Sequence, residues 1–177
     1  MKRYIVTGAP GAGKTAVIRQ LEFDGFSVVE EAATDVIALW QAKGIVEPWT
    51  HPEFIDAVVN LQRTRERRAD CATDLVQFHD RSVVCTAALA DYLGFARSQN
   101  LQRELHRVTT ESVFDRRVFF LKNLGFVTPT DARRITYEET VRFELIHEQT
   151  YRDIGFDITL IDRGSLSERV KQIKHWL

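Results

Sequence analysis

An α/β fold built on a five-stranded parallel sheet, with helices on both faces, is what this sequence predicts, and three observations predict it. Short apolar runs alternate along the chain with longer segments of helical period. A glycine-rich loop joins the first such run to the first helical segment. Several of the apolar runs end in charged residues, and parallel sheets covered on both faces bind ligands at the carboxyl ends of their strands.

The elements follow in order. Tyr4 to Thr7 is predicted as the first strand and Lys14 to Glu22 as a helix. Phe26 to Val29 is a second strand ending at Glu30-Glu31, followed by a helix over Ala32 to Ala42 and a long charged helix over Pro52 to Cys71. Val76 to His79 is a weaker strand ending at Asp80-Arg81-Ser82, with helices over Val83 to Leu93 and Gln99 to Val108 behind it. Val118 to Leu121 is the fourth strand, Thr128 to Arg134 a polar loop or lid, and Tyr137 to Tyr151 a long helix. Phe156 to Ile161 is the last strand. Ser165 with Glu168 three residues on forms a capping box that starts the C-terminal helix.

The 177 residues fit one domain, 1–177, and a chain of that size buries a core without staples. A formal net charge of -1 argues against broad nucleic-acid binding, which needs a strong positive field, while leaving room for a local basic pocket. Cys71 and Cys85 form no C-x-x-C pair, and no cysteine–histidine spacing suits zinc, so a reducing compartment is expected. The opening apolar stretch is too short for a signal-peptide core and no stretch approaches membrane-spanning length, so a cytoplasmic protein is expected.

The most specific motif is Gly8-Ala9-Pro10-Gly11-Ala12-Gly13-Lys14-Thr15, which matches G-x-x-x-x-G-K-[ST] in full. Its glycines let backbone N–H groups turn inward around phosphate oxygens, and the following helix offers its N-terminal dipole to the same anion. Lys14 is placed to reach the β- and γ-phosphates and Thr15 to ligate Mg²⁺, with Ala16 completing the nucleotide-binding stretch. The competing reading is a glycine turn without a ligand, and the strand-loop-helix context argues against it.

At the other strand ends the chemistry is less specific. Glu30 or Glu31 can act as general base or hold the acceptor, with Glu30 the preferred candidate, or can simply favour a helix N-terminus. Asp80 can hold a Mg²⁺-bound water or take the acceptor proton, and Arg81 can steady the transferring phosphoryl group; a surface ion pair with a helix cap is the alternative. In Asp131-Ala132-Arg133-Arg134, Arg133 or Arg134 can close over the nucleotide, unless the segment is only a solvated loop. Arg63, Arg65, Arg67 and Arg68 read first as a solvated helix face and second as an anionic acceptor site. His79, Trp40 and Trp49 read as structural before functional.

With these residues in view, the chain resembles P-loop kinases of the nucleoside/nucleotide-kinase group. Within it, the chain is similar to the small AAA-domain ATPase/kinase proteins related to the ribosylnicotinamide kinase domain of NadR. The resemblance is carried by the phosphate loop, Val28 to Ala33, Phe78-His79-Asp80-Arg81-Ser82, Val118 to Leu121, the Asp131 to Arg134 segment, and Glu138 to Tyr151 followed by Gly155-Phe156. It implies a three-layer P-loop NTPase fold of strand order 2-3-1-4-5 with a short arginine-bearing lid. It maps Glu30 to the acid after the second strand, and Asp80 and Arg81 to the D/E-R-S element of deoxynucleoside kinases.

The expected activity is transfer of a phosphoryl group from Mg-ATP to a small nucleoside- or nucleotide-like acceptor. Two alternatives stand beside it, a nucleotide-dependent ATPase switch and a kinase for polynucleotide ends. A GTPase is disfavoured because N-K-x-D is missing and the one D-x-x-G string, Asp91 to Gly94, ends a helix.

Overall fold

The computed structural model describes residues 1–70, 74–125 and 136–177. The chain runs β1 (Lys2–Thr7), α1 (Lys14–Phe23), β2 (Ser27–Val29), α2 (Ala33–Ala42), a short 3-10 turn (Pro48–Thr50), α3 (Glu53–Ala69), β3 (Val76–Asp80), α4 (Val83–Leu93), α5 (Gln99–Thr110), β4 (Arg117–Leu121), α6 (Tyr137–Ile154), β5 (Asp157–Ile161) and α7 (Leu166–Lys174). All strand pairs are parallel, in the order β2-β3-β1-β4-β5. The expected order is therefore the observed one.

The two-residue alternation of β1 builds the layers. Tyr4 and Val6 point to one face, where they pack with Val17, Leu21, Val170 and Ile173 of α1 and α7. Ile5 points to the other and packs against residues of α2, α3, α4, α5 and α6. Each such side chain, fully removed from water, stabilises the fold by about 1.5–3 kcal/mol. Thr7 continues the alternation on the Ile5 face and is wholly buried.

Two features of the strands have local causes. β2 begins at Ser27, not Phe26, because the Phe26 N–H donates to Leu21 O at 3.1 Å and closes the end of α1. The polar character of β3, unusual in a buried strand, is resolved by internal pairing. Gln77 and His79 share a face and bond to each other at 2.8 Å, and Gln77 also donates to Ser27 Oγ and Ala69 O, each at 3.3 Å. Burial, with the Arg3 charge adding, pushes His79 down to about 3, so it is a neutral structural residue.

Two arginines of the α3 stretch, Arg63 and Arg65, serve the fold, while Arg67 and Arg68 are exposed. Arg63 donates to Glu66 at 2.8 Å, and Arg107 of α5 reaches both Glu66 oxygens at 2.8 and 3.0 Å. Arg65 pairs with Asp35 and donates to the carbonyls of Glu30 and Glu31, pinning the loop after β2. Because Glu66 is buried between two guanidinium groups, Glu66→Ala is expected to cost about 2 kcal/mol of stability, less than a fully desolvated pair because both arginines keep some exposure. Urea unfolding reads this directly. An unchanged midpoint would mean Glu104 and solvent suffice to hold Arg63 and Arg107.

Trp40 and Trp49 pack against the core on the α2–α6 side, Trp40 edge-on to Phe54 at 6.1 Å between ring centroids. Cys71 and the lid segment with Asp131, Arg133 and Arg134 lie outside the described residues. Among the described residues, no helix is long and apolar enough to cross a membrane.

Candidate active site

The register of the central strands brings the two charged motifs together. Val6 of β1 pairs with Asp80 of β3, so the chain leaves both strands side by side, and the Arg81 N–H donates to Val6 O at 3.1 Å. β1 runs into the phosphate loop, whose geometry needs its glycines. Gly8 has φ 138°, and a Cβ there would lie 2.4 Å from the carbonyl oxygen of Leu121 at the end of β4. Gly13 has φ 73°, and a Cβ would meet Arg169 Nη1 at 2.8 Å. Gly8→Ala is accordingly expected to destabilise the protein by about 3 kcal/mol, through a left-handed backbone and a backbone clash that no side-chain rotation relieves. Chemical denaturation checks this, and a variant as stable as the parent would show that the loop does not have to pass under β4.

Arg169 of α7 braces the loop from below. It is buried and donates to Ala12 O at 2.7 Å and Lys122 O at 3.4 Å, and burial lowers its pKa. Lys14 opens α1 and, itself buried, donates from Nζ to Ala9 O at 2.8 Å. Thr15 follows it with an exposed side chain.

Above the loop lies a cavity of about 460 Å³. Pro10, Gly11, Gly13, Lys14 and Thr15 form its floor, and Glu31, Asp80 and Arg81 enter from the ends of β2 and β3. Ile37, Val58 and Leu89 of α2, α3 and α4, with Phe143 of α6, supply an apolar wall that also holds Gln62 and Thr86. Thr86 donates to Gln62 Oε1 at 3.0 Å, which fixes the amide's orientation. A largely apolar wall with a few placed polar groups suits a small organic ligand.

Electrostatics set the two strand-end residues apart. Burial pushes the Asp80 carboxyl up, against the opposing pull of Lys14 and Arg81. Its Oδ1 is buried without a hydrogen-bond partner among the described residues. Burial works against the Arg81 charge, yet Cys85, Glu31 and Asp80 more than offset it and hold that charge firmly. Arg81 also has φ 74°, a left-handed conformation that a side-chain-bearing residue rarely adopts and that clusters at functional sites.

Of the residues singled out in the sequence, Lys14, Thr15, Asp80, Arg81, Pro10, Gly11 and Gly13 line this cavity. Gly8, Ala9 and Ala12 are the buried scaffold of the loop, and Ala16 faces solvent on the first turn of α1. Glu30 turns outward, half-exposed, and pairs with Arg19 at 2.7 Å. Its neighbour Glu31 lines the cavity and caps α2, accepting from the N–H groups of Ala33 and Thr34 at 2.8 and 3.0 Å. The backbone after β2 therefore brings Glu31, and not the preferred Glu30, to the cavity. Arg169, Gln62 and Phe143 were not singled out from sequence. Arg169 carried one weak signal, a charge in a position where α7 needs its buried face.

Behind the cavity, reaching it at Cys85, sits a group of buried polar side chains. Tyr151 of α6 lies 3.0 Å from both Ser82 Oγ and Cys85 Sγ, and Thr7 Oγ1 lies 3.1 Å from both Cys85 Sγ and His147 Nε2. Burial, with the charges of Arg81 and Lys14 adding, holds His147 well below its ordinary value, and burial raises Tyr151 well above its own.

Known structures share this architecture. The NadR protein in complex with NR superposes with a TM-score of 0.73 at 15% identity, covering 99% of this chain and 50% of that one. The same protein in complex with NAD and AMP-PNP gives 0.70 at 14% identity, covering 99% and 49%. Deoxyadenosine kinase from M. mycoides with bound dATP gives 0.60 at 12% identity, covering 98% of each chain. This chain therefore spans about half the length of the NadR protein. No curated protein matches the sequence. A family model described as AAA domain matches residues 3–169, and the chain therefore belongs to that AAA-domain family, on the fold it shares with these P-loop kinase structures.

Proposed function

We propose that this protein transfers the γ-phosphoryl group of ATP to a small nucleoside- or nucleotide-like acceptor. The observation that carries the reading is the convergence of Lys14, Thr15, Asp80 and Arg81 on one cavity whose far wall is apolar with a fixed amide. The ligands named for the neighbouring folds, NR, NAD with AMP-PNP, and dATP, favour the same classes of molecule.

The γ-phosphate rests on the loop N–H groups, with Lys14 bridging its charge to the β-phosphate. The acceptor hydroxyl attacks phosphorus in line. An oxygen–phosphorus bond forms to the acceptor, the bond to the β,γ-bridging oxygen breaks, and ADP leaves. Asp80, whose carboxyl is raised by burial so that it holds a proton more readily than an exposed aspartate, takes the acceptor proton. Arg81 lies where charge spreads over the equatorial oxygens. Glu31 holds the acceptor against the α2 wall, the role first expected of Glu30. Arg133 or Arg134 closes over the nucleotide in this scheme.

Mg²⁺ fits the donor set. Thr15 Oγ1 and the unpartnered Asp80 Oδ1 are hard oxygen donors, and no cluster of three or more His, Cys, Asp or Glu forms a protein-only cage among the described residues. When bound, the ion supplies neutralisation of phosphate charge.

The test is ADP release from Mg-ATP, with and without a panel of nucleosides, mononucleotides and nicotinamide riboside. Acceptor-dependent release with phosphorylated acceptor as product supports the proposal. Slow release at one rate with every acceptor would replace it by a nucleotide-dependent ATPase switch.

A further inference from the structure

The two strand ends that frame the cavity are tied together from behind by one helix. His147 and Tyr151 lie one turn apart on α6, on the same face. His147 reaches Thr7, the last residue before the phosphate loop, and Tyr151 reaches Ser82, the residue after Arg81. Cys85 bridges the two halves, so Ser82, Tyr151, Cys85, Thr7 and His147 form one unbroken chain of contacts of 3.0–3.1 Å. Every member is at most 4% exposed. Neither α6 residue lines the cavity.

A chain of this kind is costly to bury and confers direction more than strength. Leucine and phenylalanine would fill the same space without any desolvation cost. What the polar groups add is a fixed position for the chain at Ser82 and Thr7. Ser82 needs fixing because Arg81 before it is held at φ 74° while Ser82 itself is extended and caps α4, accepting from the Val84 N–H at 3.2 Å. Tyr151 stays protonated and His147 stays neutral, so neither adds a charge behind Arg81.

We infer that Tyr151 and His147 are positioning residues for phosphoryl transfer, holding Arg81 and the entry to the phosphate loop in fixed relation through Ser82 and Thr7. The inference rests on the function proposed above. It predicts coupling between a buried hydroxyl and a guanidinium to which it makes no hydrogen bond among the described residues.

The experiment is a double-mutant cycle with a spectroscopic readout. Tyr151→Phe keeps the ring and removes one oxygen. It is expected to lower kcat about tenfold, a coupling of ordinary size for a shared network, with the KM for ATP and for acceptor unchanged. In an Arg81→Ala background the same change is expected to leave the residual kcat where it is. With ¹⁵N-labelled arginine, the Arg81 Nε–H resonance, assigned by its loss in Arg81→Lys, is expected to shift or broaden in Tyr151→Phe. Thr7→Val, which cuts the chain at its other end with nearly unchanged volume, is expected to reproduce the kcat loss, and serves if Tyr151→Phe does not fold. Additive effects in the cycle, or a lowered Tm with kcat and the Arg81 resonance unmoved, overturn the inference. If the parent protein phosphorylates no acceptor, the proposed function fails, and the resonance alone decides the positioning claim: unmoved, it overturns it.

Discussion

Lys14→Ala is expected to lower acceptor-dependent ADP release by about three orders of magnitude while leaving the fold in place. The two halves of that statement differ because the lysine makes different bonds in the two states. Without nucleotide one bond of its Nζ is to a neutral acceptor, the carbonyl of Ala9, at 2.8 Å, beside its attraction to Asp80. Losing such a bond costs about 1 kcal/mol, a small part of a domain's stability of about 5–15 kcal/mol. With nucleotide bound the ammonium exchanges that carbonyl for anionic oxygens whose charge is redistributed as the phosphoryl group moves. Charge-assisted bonds are about twice as strong as neutral ones, and in a water-excluded site their loss appears mainly in the rate. Lys14→Met separates the terms, since it keeps most of the apolar stem that packs in the buried position and removes only the ammonium. The two variants are expected to lose activity alike and to differ slightly in stability. A Lys14→Ala protein that phosphorylates acceptor at the parent rate would end the kinase reading, and calorimetric titration with ATP tells loss of binding from loss of chemistry.

Local chemistry made the phosphate loop legible, and tertiary placement hid much of its surroundings. Eight consecutive residues specify a loop whose glycines set the course of the backbone, so the motif carries its own geometry. The strands were legible by the apolar runs, and β3 stood out as weak because Gln77 and His79 solve each other's burial, a pairing that composition does not reveal. Nothing physical in the sequence supported the preference for Glu30 over Glu31. A three-residue strand ends just before them, and a single residue of register decides which acid faces the cavity and which faces Arg19. Arg169 touches the loop from 157 residues away, and only the packing of α7 beside α1 shows it. His147 and Tyr151 have the spacing of an ordinary buried helix face. That their polar atoms meet Thr7 and Ser82 depends on how α6 docks over α4 and the sheet, which periodicity does not record.

Asp80→Asn is expected to trade activity for stability, with opposite signs in the two measurements. The carboxyl is raised because burial penalises its charged form more than Lys14 and Arg81 favour it. One of its oxygens, Oδ1, has no partner among the described residues, so the ionised side chain sits in the folded protein at a cost. The folded state thus holds the Asp80 proton more tightly than the unfolded chain. The stability it confers is fully present below the ordinary aspartate value and is lost as pH rises through the raised one. Asparagine imitates the protonated form at every pH. The variant is therefore expected to match the parent at low pH and to exceed it in Tm at neutral pH, the gap opening as pH climbs from the ordinary carboxylate range through the raised value. Its kcat is expected to fall by about two orders of magnitude, the usual worth of a general base, with ATP affinity nearly unchanged. Thermal unfolding across pH, set beside kcat and KM, separates the readings. A lower Tm at neutral pH would mean that attraction to Lys14 and Arg81 outweighs desolvation. A loss of ATP affinity with kcat retained would remove the proton-transfer role and leave Asp80 only that of holding the ion on the phosphates. A raised Tm with a depressed kcat would mark a carboxylate kept in the fold for its reaction, at the expense of the structure that holds it.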